Sequence, residues 1–244
     1  MNETIKQLWE RKSVREYTNQ PITNEEKEMI LQAALQAPTA GNMALYSIID
    51  IQDQKLKDEL AIRCDHQPFI AKAPLVLIFL ADYQKWFDIF QHYTSEEVKI
   101  EESDLLLACE DCMIAAQNAV VAAQSLGIGS CYIGDILENF EANQELLHLP
   151  QYAIPLCMVV FGKPTPSQIN RKKPTRFALE DMVSVDCYRE KTTEETIQMF
   201  EKQTGKSGED LEKYIRAFAK RKFYALFREE MNRSSRAIIQ HWIK

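Results

Sequence analysis

The chain has 244 residues, of which 45% are hydrophobic and 27% are charged, a composition typical of a globular protein with one substantial core. A formal net charge of −7 argues against a general nucleic-acid-binding protein, because neutralising phosphates requires a basic surface. The N-terminal segment is polar and no run of 18 apolar residues occurs, so we expect a cytoplasmic protein with no signal peptide and no membrane span.

Helices and strands alternate along the first part of the chain. Thr23 begins a capping-box pattern that predicts a helix over 23–37. The segment 46–51 reads as a strand, and 53–62 reads as an amphipathic helix with a charged outer face. The continuous apolar run 75–80 predicts a central strand that is buried on both faces.

The longest apolar helix is predicted over 104–126 and is closed by Gly127. A helix of this composition has to be buried in a large core or in a subunit interface. Two short strands are predicted after it, at 130–133 and 156–161, followed by a basic loop at 164–176. This alternation of strands and helices predicts an α/β or α+β fold.

The C-terminal part is predicted to be helical and amphipathic from about residue 192, with a break at 207–208. Residues 201–244 carry a net charge of +5, whereas the first 200 residues carry −12. A basic tail on an acidic body is compatible with binding of a phosphorylated small molecule and with docking on a partner subunit. Both interpretations remain open at this point.

The six cysteines are expected to be reduced thiols, because the chain is long and has no secretion signal. Cys109 and Cys112 form a C-x-x-C inside the long apolar helix, where small packing residues are expected rather than a zinc or redox site. No metal site is predicted. Gly127 to Gly134 is glycine-rich, but Tyr132 stands where the dinucleotide-binding fingerprint needs glycine, so any nicotinamide cofactor binds without a Rossmann site.

The segment from Arg11 to Arg15 holds three cations and one hydroxyl within five residues. If the segment is extended, Arg11, Ser13 and Arg15 lie on one face, which suits an anionic ligand because arginine and serine donate hydrogen bonds to phosphate. Taken alone, the segment is more typical of a solvated basic patch.

This segment and several later motifs occur in a fixed order along the chain. They are Arg11-x-Ser13-x-Arg15-x-Tyr17, the loop Ala37 to Asn42, the turn Gln67-Pro68-Phe69, the segment Gly127 to Gly134, and the basic loop Lys172 to Phe177. In their order and spacing they resemble the nitroreductase family of FMN enzymes. The chain looks most like the NADPH-linked branch that contains the oxygen-insensitive nitroreductases and flavin reductases.

The resemblance implies a nitroreductase-like α+β fold with a mixed central β-sheet flanked by helices and a long buried central helix. It also implies a homodimer in which a C-terminal helical arm wraps the partner subunit. Residues 1–190 would form the FMN-binding core. Residues 191–244 would form a helical extension of the same domain, with dimer and NADPH contacts.

The resemblance also implies a set of FMN-binding positions. They are Arg11, Lys12, Ser13, Arg15, Thr39, Asn42, Gln67, Tyr132, Ile133, Gly134, Lys173 and Arg176. Arg11 and Ser13 would contact the phosphate and Arg15 the N1–O2 edge of the ring. The loop with Thr39 and Asn42 would reach the flavin of the partner subunit.

The remaining positions carry less specific expectations. Gln67 would hydrogen-bond the flavin ring, Tyr132 to Gly134 would pass over it, and the basic loop of Lys173 and Arg176 would close over the phosphate. Lys12 is a weaker candidate for the phosphate region. The cluster Lys220, Arg221 and Lys222 would hold the 2′-phosphate of NADPH, or it faces solvent.

The chain departs from the family pattern at a few positions. Ala44 stands where the family often has glutamine, and Asp135 replaces a common glycine and adds a carboxylate near the ring. Thr175 lies between Pro174 and Arg176 in the basic loop, so the resemblance does not decide which cation meets the phosphate.

The resemblance implies an FMN-dependent oxidoreductase that takes hydride from NADPH or NADH at flavin N5 and passes it on by a ping-pong mechanism. Small-molecule acceptors such as nitroaromatics, quinones or free flavin are expected. No side chain is named as the catalyst, because the flavin carries the chemistry. Two alternatives stay open: a flavin-binding protein with little turnover, acting in sensing or storage, and a relative with specialised chemistry such as reductive dehalogenation.

Overall fold

The computed structural model describes residues 1–244, which form two compact units. The first unit contains Met1–Arg171 and Glu229–Lys244, and the second contains Lys172–Arg228. The boundary at 190/191 that the sequence suggested lies inside the second unit. The predicted C-terminal extension is therefore divided, because its last helix continues into the first unit.

The first unit contains four strands and most of the helices. In chain order they are α1 (Glu3–Glu10), α2 (Asn24–Leu35), β1 (Tyr46–Asp50), α3 (Gln54–Arg63), α4 (Pro68–Ala71), β2 (Leu75–Asp82), α5 (Gln84–Tyr93), α6 (Glu102–Ser125), β3 (Gly129–Ile133), α7 (Phe140–Leu146), β4 (Ala153–Gly162) and α8 (Pro166–Asn170). Two 3₁₀ turns cover Ala40–Asn42 and Gly134–Leu137. The second unit contains α9 (Leu179–Met182), α10 (Thr193–Thr204) and α11 (Gly208–Lys222), and α12 (Leu226–Trp242) begins there.

The four strands form one sheet in the order β1-β2-β4-β3, and every neighbouring pair is antiparallel. The predicted α+β class is confirmed, but the prediction of a mixed sheet is corrected. The parallel pairing is confined to an isolated bridge between Ser13 and Ser130, at the free side of β3. Every residue of β2 is buried, as expected for a central strand with apolar side chains on both faces.

The long apolar helix α6 lies in the core, as its composition predicts. It packs against α2 and the sheet through a face rich in alanine, and Ala108, Ala115 and Ala119 on that face have no exposed surface. Helix α6 has the length and mean hydropathy of a membrane span, but core helices of other proteins share these properties. It begins two residues earlier than predicted, because the backbone and side chain of Glu101 form a capping box with Asp104.

Several short helices were not predicted from the sequence. α1, α5 and α7 have only 8, 10 and 7 residues, which is shorter than the window of about 11–18 residues over which helical periodicity is recognised. The predicted basic loop over 164–176 also contains one helical turn, α8, in which Pro166 occupies the first turn, where its missing N–H is not needed.

The segment from Arg11 to Tyr17 packs against two glycines of the sheet, Gly129 in β3 and Gly162 in β4. A Cβ atom at Gly129 would overlap the Val14 side chain, and one at Gly162 would overlap the ring of Tyr17. The backbone N–H of Val14 donates to Ser130 O at 2.9 Å, and the N–H of Thr18 donates to Lys163 O at the same distance. Glycine is therefore required where this basic segment lies against β3 and β4.

Replacing Gly129 by alanine is expected to lower the free energy of unfolding by about 1–3 kcal/mol, because the added methyl group has to displace the buried Val14. Urea-induced unfolding measures this loss. Gly134→Ala is the matched control, since nothing lies within 4 Å of a Cβ atom there and the expected change is below about 1 kcal/mol. Equal losses in both variants would contradict the close approach at Gly129.

Candidate functional site

The basic segment is extended, and its alternate side chains approach β3. Ser13, Arg15 and Arg11 lie close enough to the thiol of Cys131 to act on it electrostatically. Burial raises the pKa of Cys131, while Arg15, Ser13 and Arg11 oppose this shift. The three side chains that the sequence places on one face therefore act on a single buried residue.

Arg11 has hydrogen-bonding capacity that the chain does not use. Its Nε and Nη2 atoms are buried and have no hydrogen-bond partner, and its guanidinium lies 5.7 Å from the centroid of the Tyr132 ring. A buried guanidinium with unpaired donors costs free energy unless an acceptor completes it. This geometry fits an anion such as a phosphate, which accepts from the planar fork of arginine.

The amine of Lys12 binds backbone carbonyls of a neighbouring segment. Its Nζ donates to Ile169 O at 2.6 Å and to Arg171 O, at the end of α8. Arg171 in turn donates from Nη2 to Ser13 O. These bonds connect the basic segment to the end of α8, and the assignment of Lys12 as a cofactor ligand stays a prediction.

Arg15 forms one wall of a cleft of about 760 Å³. Its guanidinium lies 5.7 Å from the centroid of the Phe69 ring, and the cleft continues past Lys72 to Lys57. Lys57 is 8% exposed and donates to Ala73 O at 3.2 Å, and burial lowers its pKa. The side of the segment near Arg15 is thus basic and open to solvent.

The loop with Thr39 and Asn42 is held by one buried carboxylate that the sequence did not single out as functional. Asp111 of α6 is 3% exposed and accepts from Ala40 N at 2.9 Å and from Leu45 N at 3.0 Å. It also accepts from the hydroxyl of Thr39, which itself accepts from Ala44 N at 2.7 Å. Three donors of the loop therefore converge on a single side chain of the core helix.

Two segments of the candidate site contain left-handed backbone at residues other than glycine. In the first, Asn42 has φ of 59° and Ala44 has φ of 49°, and in the second, Asp65 and His66 have φ of 59° and 51°. Such conformations are uncommon for residues with a Cβ atom and concentrate at functional sites. The two segments lead into or contain predicted flavin contacts, at Asn42 and at Gln67.

Gln67 and Asp135 bring two separate parts of the chain together. The Nε2 of Gln67 donates to Asp135 Oδ2 at 2.6 Å and to Cys64 O at 2.8 Å. Gln67 precedes α4 and Asp135 lies in the turn after β3, so the residue that departs from the family pattern contacts a predicted ring ligand directly.

The end of β3 leaves space above the backbone. Tyr132 donates from Oη to Gln117 Oε1 at 3.2 Å, and Ile133 is buried. Gly134 follows, and a Cβ atom there would meet nothing within 4 Å. Neither packing within the chain nor a positive φ requires glycine at this position, which fits a surface that a flat ligand approaches closely.

Glu138 is a buried acid next to Asp135. It is 7% exposed, and its Oε1 has no hydrogen-bond partner. Burial and the nearby carboxylates of Asp135, Asp65 and Glu230 raise the pKa of Glu138 to about 7. The nearby Arg233 is paired with Glu230 and Glu141, so it does not neutralise Glu138 directly.

The free energy of unfolding is expected to fall by about 2 kcal/mol between pH 5 and pH 8, owing to Glu138. The folded protein keeps this proton up to about pH 7, whereas the unfolded chain loses it near the ordinary value of 4.5, so the stabilisation is lost as pH rises. Urea unfolding of the wild type and Glu138→Gln measures the difference, with the exposed Glu145→Gln as control. Parallel pH profiles for wild type and Glu138→Gln would contradict this assignment.

The other predicted cations lie in the second unit. Lys173 is partly buried and Arg176 is exposed, and their loop is held to α10 by a bond from Gln203 Nε2 to Thr175 O at 3.1 Å. At the end of α11, Arg221 lies 5.3 Å from the Phe218 ring centroid, and Lys222 lies 5.1 Å from that of Phe227, while Lys220 is exposed. The roles of these five residues as ligands stay predictions.

The chain is similar to known proteins over most of its length. The profile of the nitroreductase family matches residues 8–163. The chain is 29% identical to an FMN reductase [NAD(P)H] of Bacillus subtilis, over 96% of this chain and 97% of the relative. It is 34% identical to an oxygen-insensitive NADPH nitroreductase of Salmonella typhimurium, over 67% of each chain. The solved structure of an NADPH:FMN oxidoreductase from Vibrio harveyi, complexed with NAD⁺, superposes with a TM-score of 0.76 at 29% identity, over 84% of this chain and 86% of that one.

Proposed function

Because the chain belongs to the nitroreductase family, we propose that it is an FMN-dependent NAD(P)H oxidoreductase. Its acceptors would be small molecules such as nitroaromatics, quinones or free flavin, reduced by two-electron hydride transfer. The observation that carries the proposal is Arg11, whose two buried donor atoms lack a partner beside Ser13. An anionic phosphate completes these donors, and a flavin mononucleotide carries one.

The residues of the first unit would hold and orient FMN. Arg11 and Ser13 would bind its phosphate, and Arg15 would place a positive charge at the N1–O2 edge of the ring. Gln67 would hydrogen-bond the ring, and the backbone at Gly134 would lie against it. Bound FMN supplies a group that accepts hydride from a nicotinamide and donates it to an acceptor. The contributions of Lys173, Arg176 and the cluster of Lys220, Arg221 and Lys222 rest on the resemblance.

We further propose that the protein is a cytoplasmic homodimer. Helix α6 carries four large apolar side chains on the face turned away from the core, and Leu106 is 65% exposed. The other three are Leu107, Met113 and Ile114. A row of exposed apolar residues on a core helix is typical of a subunit interface. In such a dimer Thr39 and Asn42 would contact the flavin of the partner subunit.

The proposal is tested by adding NADPH to the FMN-loaded protein without oxygen. Loss of the visible flavin absorbance, and its recovery on adding a quinone or nitroaromatic, is the expected result. A parallel titration with NADH decides the preferred donor. A protein that retains no FMN would overturn the cofactor assignment, whereas retained flavin that neither nicotinamide reduces would favour a storage or sensing role. A sedimentation experiment on the same sample tests the dimer.

A further inference from the structure

The amide of Gln67 is oriented by its neighbours. Both groups next to its Nε2 atom are hydrogen-bond acceptors: the backbone carbonyl of Cys64 and the carboxylate of Asp135. Each takes one of the two N–H hydrogens of the amide. If the amide were turned by 180°, its carbonyl oxygen would face two acceptors, so the network itself decides the orientation.

The carbonyl oxygen of Gln67 is therefore the part of its side chain left to contact a ligand. An outward carbonyl oxygen accepts a hydrogen bond but cannot donate one. The amide thus recognises an N–H or O–H group and is a poor partner for a ligand carbonyl. A free glutamine would adapt to either, because it can rotate.

The position of Asp135 is itself fixed. It lies in the 3₁₀ turn Gly134–Leu137, where the N–H of Glu138 donates to its backbone oxygen at 3.0 Å. The buried side chain of Glu138 lies beside it, and burial together with the charge of Asp135 raises the pKa of Glu138. Asp135 is thus held by its turn in the position where it accepts from Gln67 Nε2.

We propose that Asp135 is a positioning residue that fixes Gln67 with its carbonyl oxygen outward, so that the site selects a ring bearing an N–H donor. The imide N–H of the isoalloxazine ring has this chemistry. The inference rests on the proposed function, because it assigns the polarity of one contact in the flavin site. It also gives a role to the residue that replaces the glycine common at this position.

The test compares the affinity of the apoprotein for FMN and for 3-deaza-FMN, in which a C–H group of similar size replaces the imide N–H. We expect the wild type to prefer FMN by about 10-fold, because the analogue leaves the fixed carbonyl of Gln67 without a donor. Asp135→Ala releases one amide hydrogen and allows rotation, and its preference should fall to about 3-fold or less. Asp135→Asn keeps an acceptor for Gln67 and should restore the wild-type preference.

Two further variants provide a second test and a control. Gln67→Leu removes the amide and should abolish the preference, which tests the idea even if Asp135→Ala is unstable. Asp58→Asn, an exposed aspartate on α3, should leave the preference unchanged. A full preference in Asp135→Ala or in Gln67→Leu overturns the inference, as does an equal loss of affinity for both ligands in Asp135→Ala. Failure of the wild type to bind either ligand instead overturns the proposed function.

Discussion

Replacing Arg11 by alanine is expected to weaken FMN binding by about 10- to 100-fold, the effect of losing charge-assisted hydrogen bonds to a phosphate. The two unpaired buried donors of Arg11 are the reason to expect the effect here and not at Lys12, whose amine is bound to two carbonyls. Flavin retained after extensive dialysis, read from the visible absorbance, measures it. Arg236→Ala, an exposed arginine on α12, is the matched control.

The apoprotein provides a second readout for the same substitution. A buried guanidinium without acceptors destabilises the ligand-free fold, so removing it should leave the free energy of unfolding of the apoprotein unchanged or slightly higher. Added FMN should stabilise the wild type against urea far more than Arg11→Ala. Full flavin occupancy in the variant, or a large loss of apoprotein stability, would argue that Arg11 has a structural role instead.

The main strands and the core helix could be predicted from the sequence because their signal is local. The run 75–81 of β2 is apolar, and α6 combines an apolar composition with a glycine, Gly127, directly after its C-cap. The antiparallel order of the sheet could not be predicted in this way, since it depends on which strands pair across the long connections between them. The isolated parallel bridge at Ser13 is a pairing of this long-range kind.

The candidate site, too, could be predicted from the sequence only in part. The basic segment could be found from residue types alone, and Asp135 is visible in the sequence as a departure from a family pattern. The role of Asp111 was missed, although an acid inside an apolar helix is a signal in itself: a buried carboxylate needs partners. Those partners are the backbone N–H groups of Ala40 and Leu45, some 70 residues away. The type of a residue does not reveal whether its backbone N–H donates to a distant side chain.

Replacing Asp111 by alanine is expected to lower the free energy of unfolding by about 2–4 kcal/mol, because three donors of the loop lose their common acceptor in a buried place. Asp111→Asn should lose less, since its amide oxygen still accepts from one or two of them. Urea unfolding measures both, and Asp58→Ala on the surface of α3 is the control. A change below about 0.5 kcal/mol in Asp111→Ala would contradict the network.

The loss should be concentrated in the loop between Thr39 and Leu45. Its left-handed residues, Asn42 and Ala44, are in conformations that the chain does not favour by itself, so the loop needs the bonds to Asp111 to keep its shape. Hydrogen exchange at Ala40 and Leu45 should therefore accelerate in Asp111→Asn before the core helices are affected. Because the same loop carries Thr39 and Asn42, FMN affinity should fall together with this protection. A variant with fast exchange in the loop and unchanged FMN affinity would show that the loop does not contribute to the flavin site.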